Sequence, residues 1–240
     1  MTGRRIMPRN EASTDIAYRD IRNLVINYVY KPGDRLYEPT LAEQMSMSRT
    51  PIREALTRLT SCGFLERDSS KRGYRIPSLT PEDMKTTFRL RTILEEHTTG
   101  LAVQNMTKET LHFLYSLNAQ EAEALQQENR GLYAELNEKF HLTLAEKSGD
   151  SYAYRYVQEL VSRTTLYNVF FAGFYTKALT GQNMNVRTPS ANIEHKVIID
   201  AINQRKPDLA ASTMRNHLLT SFMHYSGAYL SPPPPCDGGA

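Results

Sequence analysis

The stretch that decides the fold is Ser48-Arg49-Thr50-Pro51-Ile52-Arg53-Glu54-Ala55-Leu56. Apolar residues in and just beyond it follow the i, i+3, i+4, i+7 spacing of a helix that buries one face: Ile52, Ala55, Leu56 and Leu59. Ser48 or Thr50 can cap this helix, and Pro51 falls in its first turn, where its missing N–H breaks no intrahelical bond. The stretch therefore predicts a well-defined helix start.

Two arginines share another face of this helix. Arg49 and Arg53 lie one turn apart near its positive N-terminal end, a spacing that suits bidentate contacts to phosphates or to guanine edges. Taken alone, the pair is equally typical of an ordinary solvated helix face. The surrounding sequence favours the first interpretation.

The surrounding sequence supplies a winged helix-turn-helix. A second helix containing Leu41, Ala42 and Met45 comes first, and a short turn at residues 46–48 separates the two helices. After the second of them, here called the recognition helix, Cys62-Gly63 ends the helix. Residues 64–67 and 72–76 have the composition of two short strands. The wing tip is predicted at residues 68–73.

This segment resembles the N-terminal domain of GntR-type bacterial regulators from about Tyr18 to Ile76. The resemblance rests on Lys31-Pro32-Gly33-Asp34-Arg35-Leu36, Glu38, Leu41-Ala42, residues 48–56, Leu59, Gly63 and Arg72-Gly73. It implies that Arg49 and Arg53 touch DNA, that Thr50 supports them at the phosphate, and that Gly73 lets the wing approach the minor groove. We also assign DNA contacts to Ser48 and to Arg72, the latter a phosphate contact on the wing.

Composition and charge agree with a DNA-binding globular protein. The 240 residues are 40% hydrophobic and 23% charged. Residues 1–77 carry 14 Lys and Arg against nine Asp and Glu, whereas residues 78–240 carry 15 against 17. Positive charge thus gathers on the half that would meet phosphates. The sequence has no run of 18 apolar residues and no secretory h-region, so we expect a cytoplasmic protein with no membrane partner.

The chain divides into four predicted segments. Residues 1–12 form a flexible arm, residues 13–77 the winged helix-turn-helix, residues 78–230 a helical effector-binding and dimerisation domain, and residues 231–240 a disordered tail. The predicted helices are 14–30 in the first domain and 81–104, 108–127, 132–147, 152–171, 192–203 and 207–230 in the second. The fold class is therefore mainly α, with a C-terminal all-α antiparallel bundle.

Three histidines of the bundle have the spacing of a metal site. Asn137 and His141 are an i, i+4 pair on one helix face, and His195 and His217 lie on two later helices. Imidazoles from facing helices can converge inside a bundle. A histidine on a partly apolar face is, however, more often a core residue than a ligand.

The helical half resembles the C-terminal effector domain of the FadR subfamily, the FCD domain. The motifs are Phe88-Arg89-Leu90-Arg91, Leu94-Glu95, residues 137–141, Ser148-Gly149-Asp150, Glu194-His195, Ile198, Ala201-Ile202 and His217-Leu218. The resemblance implies an acidic residue and three histidines that hold a divalent ion, commonly zinc or nickel, with a small effector beside it. The implied positions here are Asn137, His141, His195 and His217, so that a neutral amide stands in the acidic position.

The same resemblance places Arg91 toward the effector pocket. Arg91, with His141, His195 and His217, would then bind an anionic effector such as an organic acid. The alternative is a surface i, i+4 ion pair between Arg91 and Glu95. We also expect Tyr152, Tyr156 and Tyr167 to line the cavity, and His224 to be the substitute ligand if His217 is not used.

These features predict a dimeric, ligand-responsive transcriptional regulator, a repressor and not an enzyme, that binds a palindromic operator in double-stranded DNA. Two other classes remain open at this stage. A metalloenzyme could hold catalytic zinc on the three histidines with Glu138 or Glu194 as base, although the H-E-x-x-H motif is missing. A DNA-architectural protein would use the bundle only to dimerise.

Overall fold

The computed structural model describes residues 12–68, 73–171 and 191–230, with side chains up to Tyr225. It divides into two compact units, Met1–Pro77 and Ser78–Ala240. Several predicted features lie outside the described residues: most of the N-terminal arm, the wing tip with Arg72, the loop before Ala191, and the C-terminal tail.

The N-terminal unit is the predicted winged helix. Its elements are α1 Ser13–Ile26, β1 Arg35–Leu36, α2 Glu38–Gln44, α3 Arg49–Ser61, β2 Glu66–Arg67 and β3 Tyr74–Arg75. The three strands form an antiparallel sheet in the order β1-β3-β2, in which Arg75 faces Arg35 on one side and Glu66 on the other. The apolar face of α3 predicted from the sequence is buried at Ile52, Leu56 and Leu59.

Two details differ from the predictions. The first helix ends at Ile26, four residues early, because Tyr28 adopts a left-handed backbone with φ 64. Its N–H bonds to the carbonyl of Val25, and that of Val29 to the carbonyl of Leu24, which closes a Schellman motif. The two-residue strand β1 was not predicted.

The C-terminal unit contains six described helices. They are α4 Pro81–Asn105, α5 Lys108–Gln126, α6 Arg130–Lys147, α7 Ser151–Phe171, α8 Ala191–Asn203 and α9 Pro207–Leu230. Side chains of Thr80, Thr107 and Asn129 cap α4, α5 and α6 by accepting hydrogen bonds from backbone N–H groups of the first turn. The mainly α fold class is confirmed. None of the helices in the described ranges is long and apolar enough to cross a membrane.

A band of polar residues runs through the interior of this bundle. Helix α4 packs against α6, α7 and α9, and α5 packs against α6 and α8. The apolar core between them includes Leu114, Phe140 and Ile198. Buried among these helices are the polar residues Arg91, Glu95, Glu121, Asn137, His141, His195 and His217. Such residues are rarely buried without partners, so their contacts define the candidate site.

Candidate functional site

The exposed face of α3 carries the predicted DNA-binding residues of the helix. Ser48 occupies the N-cap position, and its hydroxyl makes no capping bond to the described backbone of α3. Ser48, Arg49 and Thr50 are all exposed at the first turn. The start of α3 therefore offers free backbone N–H groups, a hydroxyl pair and a guanidinium on one exposed end.

Arg53 is also exposed, but its guanidinium is held by a carboxylate. Its Nε donates to Glu38 Oε2 at 3.0 Å and its Nη2 donates to the same oxygen at 2.9 Å. The hydrogen bond to Glu38 raises the pKa of Arg53, and the side chain remains 63% exposed. Glu38 at the start of α2 thus fixes the direction of Arg53 without covering it.

The wing contributes one described residue of the predicted set. A Cβ at Gly73 would lie 3.7 Å from the carbonyl oxygen of Leu36 and 3.8 Å from the ring of Tyr37, which is ordinary van der Waals contact. The fold therefore leaves room for a methyl group at this position. Arg72, the predicted phosphate contact, lies outside the described residues.

Within the bundle, the three predicted histidines come together. His141 on α6, His195 on α8 and His217 on α9 are all buried, and one potential ligand atom from each lies within 4.8 Å of the others. The His141 and His217 rings stack with centroids 5.3 Å apart. His224 is not a member of this cluster among the described residues.

Each imidazole is oriented by a carboxylate from a neighbouring helix. Nδ1 of His141 lies 2.5 Å from Glu95 Oε2. Nδ1 of His195 lies 2.8 Å from Glu121 Oε2, and Nδ1 of His217 lies 2.7 Å from Glu194 Oε2. In the neutral tautomer that donates Nδ1–H to a carboxylate, Nε2 keeps its lone pair. Carboxylate–histidine pairs of this kind orient metal ligands in proteins.

The converging Nε2 atoms fit a cation. Nε2 of His195 lies 3.3 Å from Nε2 of His217. In the neutral tautomers that donate Nδ1–H to the carboxylates, the Nε2 lone pairs of His195 and His217 face each other. The three carboxylates that bind the imidazoles, together with Arg91, which pairs with Glu95, carry a formal charge of −2 that a divalent ion would neutralise. Both observations match the donor set of zinc or nickel.

Burial favours the neutral form of two of the imidazoles, His141 and His217, and the neutral form is the one that a metal requires. Burial lowers the pKa of His141 well below its usual value, against the opposing effect of Glu95, and also lowers the pKa of His217. Burial alone would raise the pKa of Glu95, but Arg91 and His141 outweigh it and bring the pKa to about 2. The site therefore combines neutral nitrogen ligands with an ionised carboxylate behind one of them.

Arg91 is buried, which rules out the surface-pair interpretation. Its Nε donates to Glu95, its Nη1 donates to Thr164 Oγ1 on α7 at 2.6 Å, and its Nη2 has no hydrogen-bond partner among the described residues. A buried guanidinium N–H without a partner is costly. A hydrogen-bond acceptor, such as an oxygen of an anionic group, would satisfy this donor.

The remaining predicted residues differ in where they lie. Asn137 is buried one turn before His141 on α6. Tyr152 and Tyr156 are 71% and 49% exposed, so the prediction that they line the cavity is wrong. Both fall on the outward face of α7, where Arg155 stacks on their rings. The hydroxyl of Tyr167 donates to the carbonyl of Thr80 at 2.9 Å and thereby braces the start of α4.

None of the three carboxylates that contact the histidines was assigned to them from the sequence. Glu121 lies on the buried row of α5 with Leu114, Leu117 and Ala124. An acidic residue at an apolar position of the helical pattern is a signal that could have identified it. Glu194 was considered only as a catalytic base, and Glu95 only as a surface partner. Their assignment depends on which helices are neighbours, which single-helix periodicity does not give.

Comparison with known families covers both units. Residues 14–76 match the bacterial regulatory proteins of the gntR family. Residues 86–220 match the FCD domain. Both of the matched segments fall in the parts identified from the sequence motifs, and the FCD match alone spans more than half of the chain.

Individual relatives are regulators, not enzymes. The chain is 26% identical over 211 residues to the uncharacterized HTH-type transcriptional regulator YdhC of Bacillus subtilis, covering 86% of each chain. It is 31% identical over 140 residues to the Nta operon transcriptional regulator of Aminobacter aminovorans, covering 58% of this chain and 66% of that protein. The structure of Escherichia coli McbR/YncC superposes with a TM-score of 0.71 at 21% identity, over 91% of this chain and 99% of that one. That likeness shows the fold alone.

Proposed function

The chain belongs to the GntR family of bacterial regulatory proteins and carries an FCD domain, and on this premise we propose that it is a dimeric repressor controlled by a small anionic effector. Its DNA-binding unit occupies a palindromic operator, and its helical unit holds the effector beside a divalent ion. The observation that carries the effector role is the unpartnered Nη2 of Arg91, buried in the same interior as the three histidines.

DNA binding is assigned to the exposed end of α3 and to the wing. Ser48, Arg49, Thr50 and Arg53 are exposed on α3. Phosphate contacts from the helix start position the protein, and the two arginines supply base contacts in the major groove. Gly73 allows close approach of the wing, and Arg72 is proposed as a phosphate contact.

Metal binding is assigned to Nε2 of His141, His195 and His217, with Asn137 as a neutral fourth ligand. Zinc and nickel both accept imidazole nitrogen. The bound ion would supply a positive charge that attracts a carboxylate effector. Arg91 would hold the same carboxylate through Nη2, while Glu95 and Thr164 keep the guanidinium in place.

Repression follows from occupancy of the operator by a two-fold protein. A palindrome presents two equivalent half-sites, and a dimer with two winged helices contacts both. A dimer on DNA excludes other proteins from the same base pairs. Effector binding would then change operator affinity by a coupling free energy of about 1–3 kcal/mol.

The test is fluorescence anisotropy of the full-length protein on DNA flanking its own gene, with and without zinc or nickel and a panel of organic acids. We expect salt-dependent, sequence-specific binding by a dimer that at least one acid weakens. Binding with no preference over random DNA would contradict the proposal. Unchanged affinity with every acid, together with no binding of acids by calorimetry, would favour the architectural alternative.

A further inference from the structure

Helix α7 holds the residues with which the C-terminal unit begins. Nη2 of Arg163 donates to the carbonyl of Ser78 at 3.3 Å, and its Nε donates to Asp83 Oδ2 at 2.8 Å. Ser78 directly follows Pro77, the last residue of the N-terminal unit. A side chain of α7 therefore fixes the chain at the point where it enters the helical unit.

Tyr167, about one turn further along α7, holds the same segment. Its hydroxyl oxygen accepts a hydrogen bond from the backbone N–H of Thr80, the N-cap residue of α4, at 3.2 Å. The same oxygen lies 2.9 Å from the Thr80 carbonyl and 2.6 Å from Asp83 Oδ2, two acceptors for its single proton. Arg163 and Tyr167 together are here called the clamp.

The hydroxyl that Arg91 contacts lies between the two clamp residues in the sequence. Nη1 of Arg91 donates to Thr164 Oγ1 at 2.6 Å. Thr164 follows Arg163 directly and precedes Tyr167 by three residues, so the three side chains arise from about one turn of α7. One short helical segment thus contacts both the guanidinium of the proposed effector site and the start of α4.

The guanidinium of Arg91 links the proposed effector position to this segment. Its Nη1 and Nη2 lie in one plane, so an anion that draws the unpartnered Nη2 toward itself also displaces Nη1. At 2.6 Å the bond to Thr164 is at the short end of the hydrogen-bond range, so a displaced guanidinium weakens it. The hydroxyl of Thr164 keeps a partner even then, because it also donates to the carbonyl of Val161 at 3.0 Å.

We propose that Arg163 and Tyr167 transmit effector binding at Arg91 to the DNA-binding unit by holding or releasing residues 78–83. This inference rests on the proposed effector role of Arg91. With the bond from Arg91 to Thr164 intact, the clamp is closed and the start of the helical unit is fixed. An anion on Arg91 weakens that bond and frees the segment. The added conformational freedom must be lost again when two winged helices bind their half-sites, so operator affinity falls.

Thr164→Val tests the connection without any effector, because it removes the hydroxyl that Arg91 contacts and nearly keeps the side-chain volume. Amide hydrogen exchange of residues 78–84 in the full-length protein should become at least about fivefold faster, as for the loss of about one net hydrogen bond. Thr165→Val is the matched control, because Thr165 is also buried on α7 and donates to the same Val161 carbonyl, without a bond to Arg91 among the described residues. Its exchange should stay within about twofold of the wild type.

Exchange in α5, Lys108–Gln126, distinguishes a local effect from a general loss of stability. In Thr164→Val it should accelerate less than exchange of residues 78–84. Equal exchange of residues 78–84 in Thr164→Val and Thr165→Val would overturn the proposal. An acceleration in α5 as large as that of residues 78–84 would also overturn it.

Tyr167→Phe removes the clamp hydroxyl and keeps the ring. Operator affinity, measured by fluorescence anisotropy without effector, should fall at least about fivefold, the lower end of typical coupling between two sites. Tyr115→Phe is the matched control, because its hydroxyl donates to Asp200 at 2.7 Å between α5 and α8, and it should retain the affinity. The double variant Thr164→Val with Tyr167→Phe should bind no more than about twofold more weakly than Tyr167→Phe, since both substitutions break one connection. Unchanged affinity in Tyr167→Phe, or two losses that multiply in full, would contradict the proposal.

The exchange measurement needs neither DNA nor an acid, so its result is independent of the proposed function. Operator binding that an organic acid weakens, combined with unchanged exchange of residues 78–84 in Thr164→Val, would refute this inference alone. Absence of specific DNA binding would instead refute the proposed function, and this inference with it.

Discussion

Arg53 shows how one residue can be both exposed and constrained. Its guanidinium donates two hydrogen bonds to Glu38 while the side chain stays largely open to solvent. An exposed ion pair of this kind contributes little to stability, because solvent screens it. We expect its larger effect on the proposed DNA-binding surface, because the guanidinium is oriented before DNA arrives and fewer rotamers are lost on binding.

Arg49→Ala and Arg53→Ala should each weaken specific operator binding by about 1–3 kcal/mol, because each removes a guanidinium from the exposed face of α3. Arg58→Ala is the matched control, since Arg58 lies on α3 but pairs with Asp15 of α1. Fluorescence anisotropy on operator DNA and on scrambled DNA measures the effect. Unchanged operator affinity in both test variants would remove them from the DNA-binding surface.

Gly73→Ala should separate folding from DNA binding. The added methyl group meets only ordinary contacts, so urea unfolding should change by less than about 0.5 kcal/mol. Operator affinity should nevertheless fall, because in the proposed complex the methyl group stands where the wing approaches the minor groove. A variant that binds operator as tightly as the wild type would show that Gly73 is not at the DNA.

At the scale of elements, α4 ends against a side chain from a distant loop. Arg205, which precedes α9, donates from Nη1 to the carbonyl of Val103 at 2.6 Å and from Nη2 to that of Met106 at 2.8 Å. These carbonyls belong to the end of α4, where the helix dipole favours positive charge. The loop between α8 and α9 is thereby tied to the C-terminal end of α4.

Arg205→Ala should lower the free energy of unfolding by about 1–3 kcal/mol, since two charge-assisted hydrogen bonds are lost. Arg205 has φ 55, a conformation that glycine adopts without strain. Arg205→Gly should therefore lose less stability than Arg205→Ala, although it removes the same bonds. Urea unfolding of the two variants measures the loss of the hydrogen bonds and the relief of backbone strain. Equal losses of stability would show that backbone strain is negligible at this position.

The bounds of the helices were predictable where neighbouring residues in the sequence determine them. The six helices of the bundle begin and end within two residues of their predicted bounds, because capping side chains such as Thr80 and Thr107 act on adjacent residues. The predicted end of α1 was wrong, because Tyr28 adopts a left-handed backbone conformation that sequence patterns assign to glycine. The carboxylates behind the histidines could not be assigned, because Glu121 and Glu95 meet them only through helix packing.

At the scale of the whole molecule, the histidine cluster connects separate helices, so an ion bound there should stabilise the native state. Zinc or nickel should raise the melting temperature by mass action, and a chelator should lower it. His141→Ala, His195→Ala and His217→Ala should each abolish that shift. His224→Ala, a histidine of α9 outside the cluster, should retain it.

Asn137→Asp adds an anionic ligand to the proposed set and should increase the affinity for the ion. Differential scanning calorimetry and metal analysis are carried out on the histidine variants and on Asn137→Asp. Absence of stoichiometric metal in the purified protein, with no response to added zinc or nickel, would leave the histidines as hydrogen-bonding residues of the pocket. The same affinity in Asn137→Asp would place Asn137 outside the coordination sphere.

The network around the cluster includes residues from all six described helices of the C-terminal unit. Arg91 and Glu95 come from α4, Glu121 from α5, His141 from α6, Thr164 from α7, Glu194 and His195 from α8, and His217 from α9. Local opening of any one helix would break part of this network. Amide hydrogen exchange of the six helices should therefore slow in concert when zinc is added, with the bundle opening as a single cooperative unit and not helix by helix.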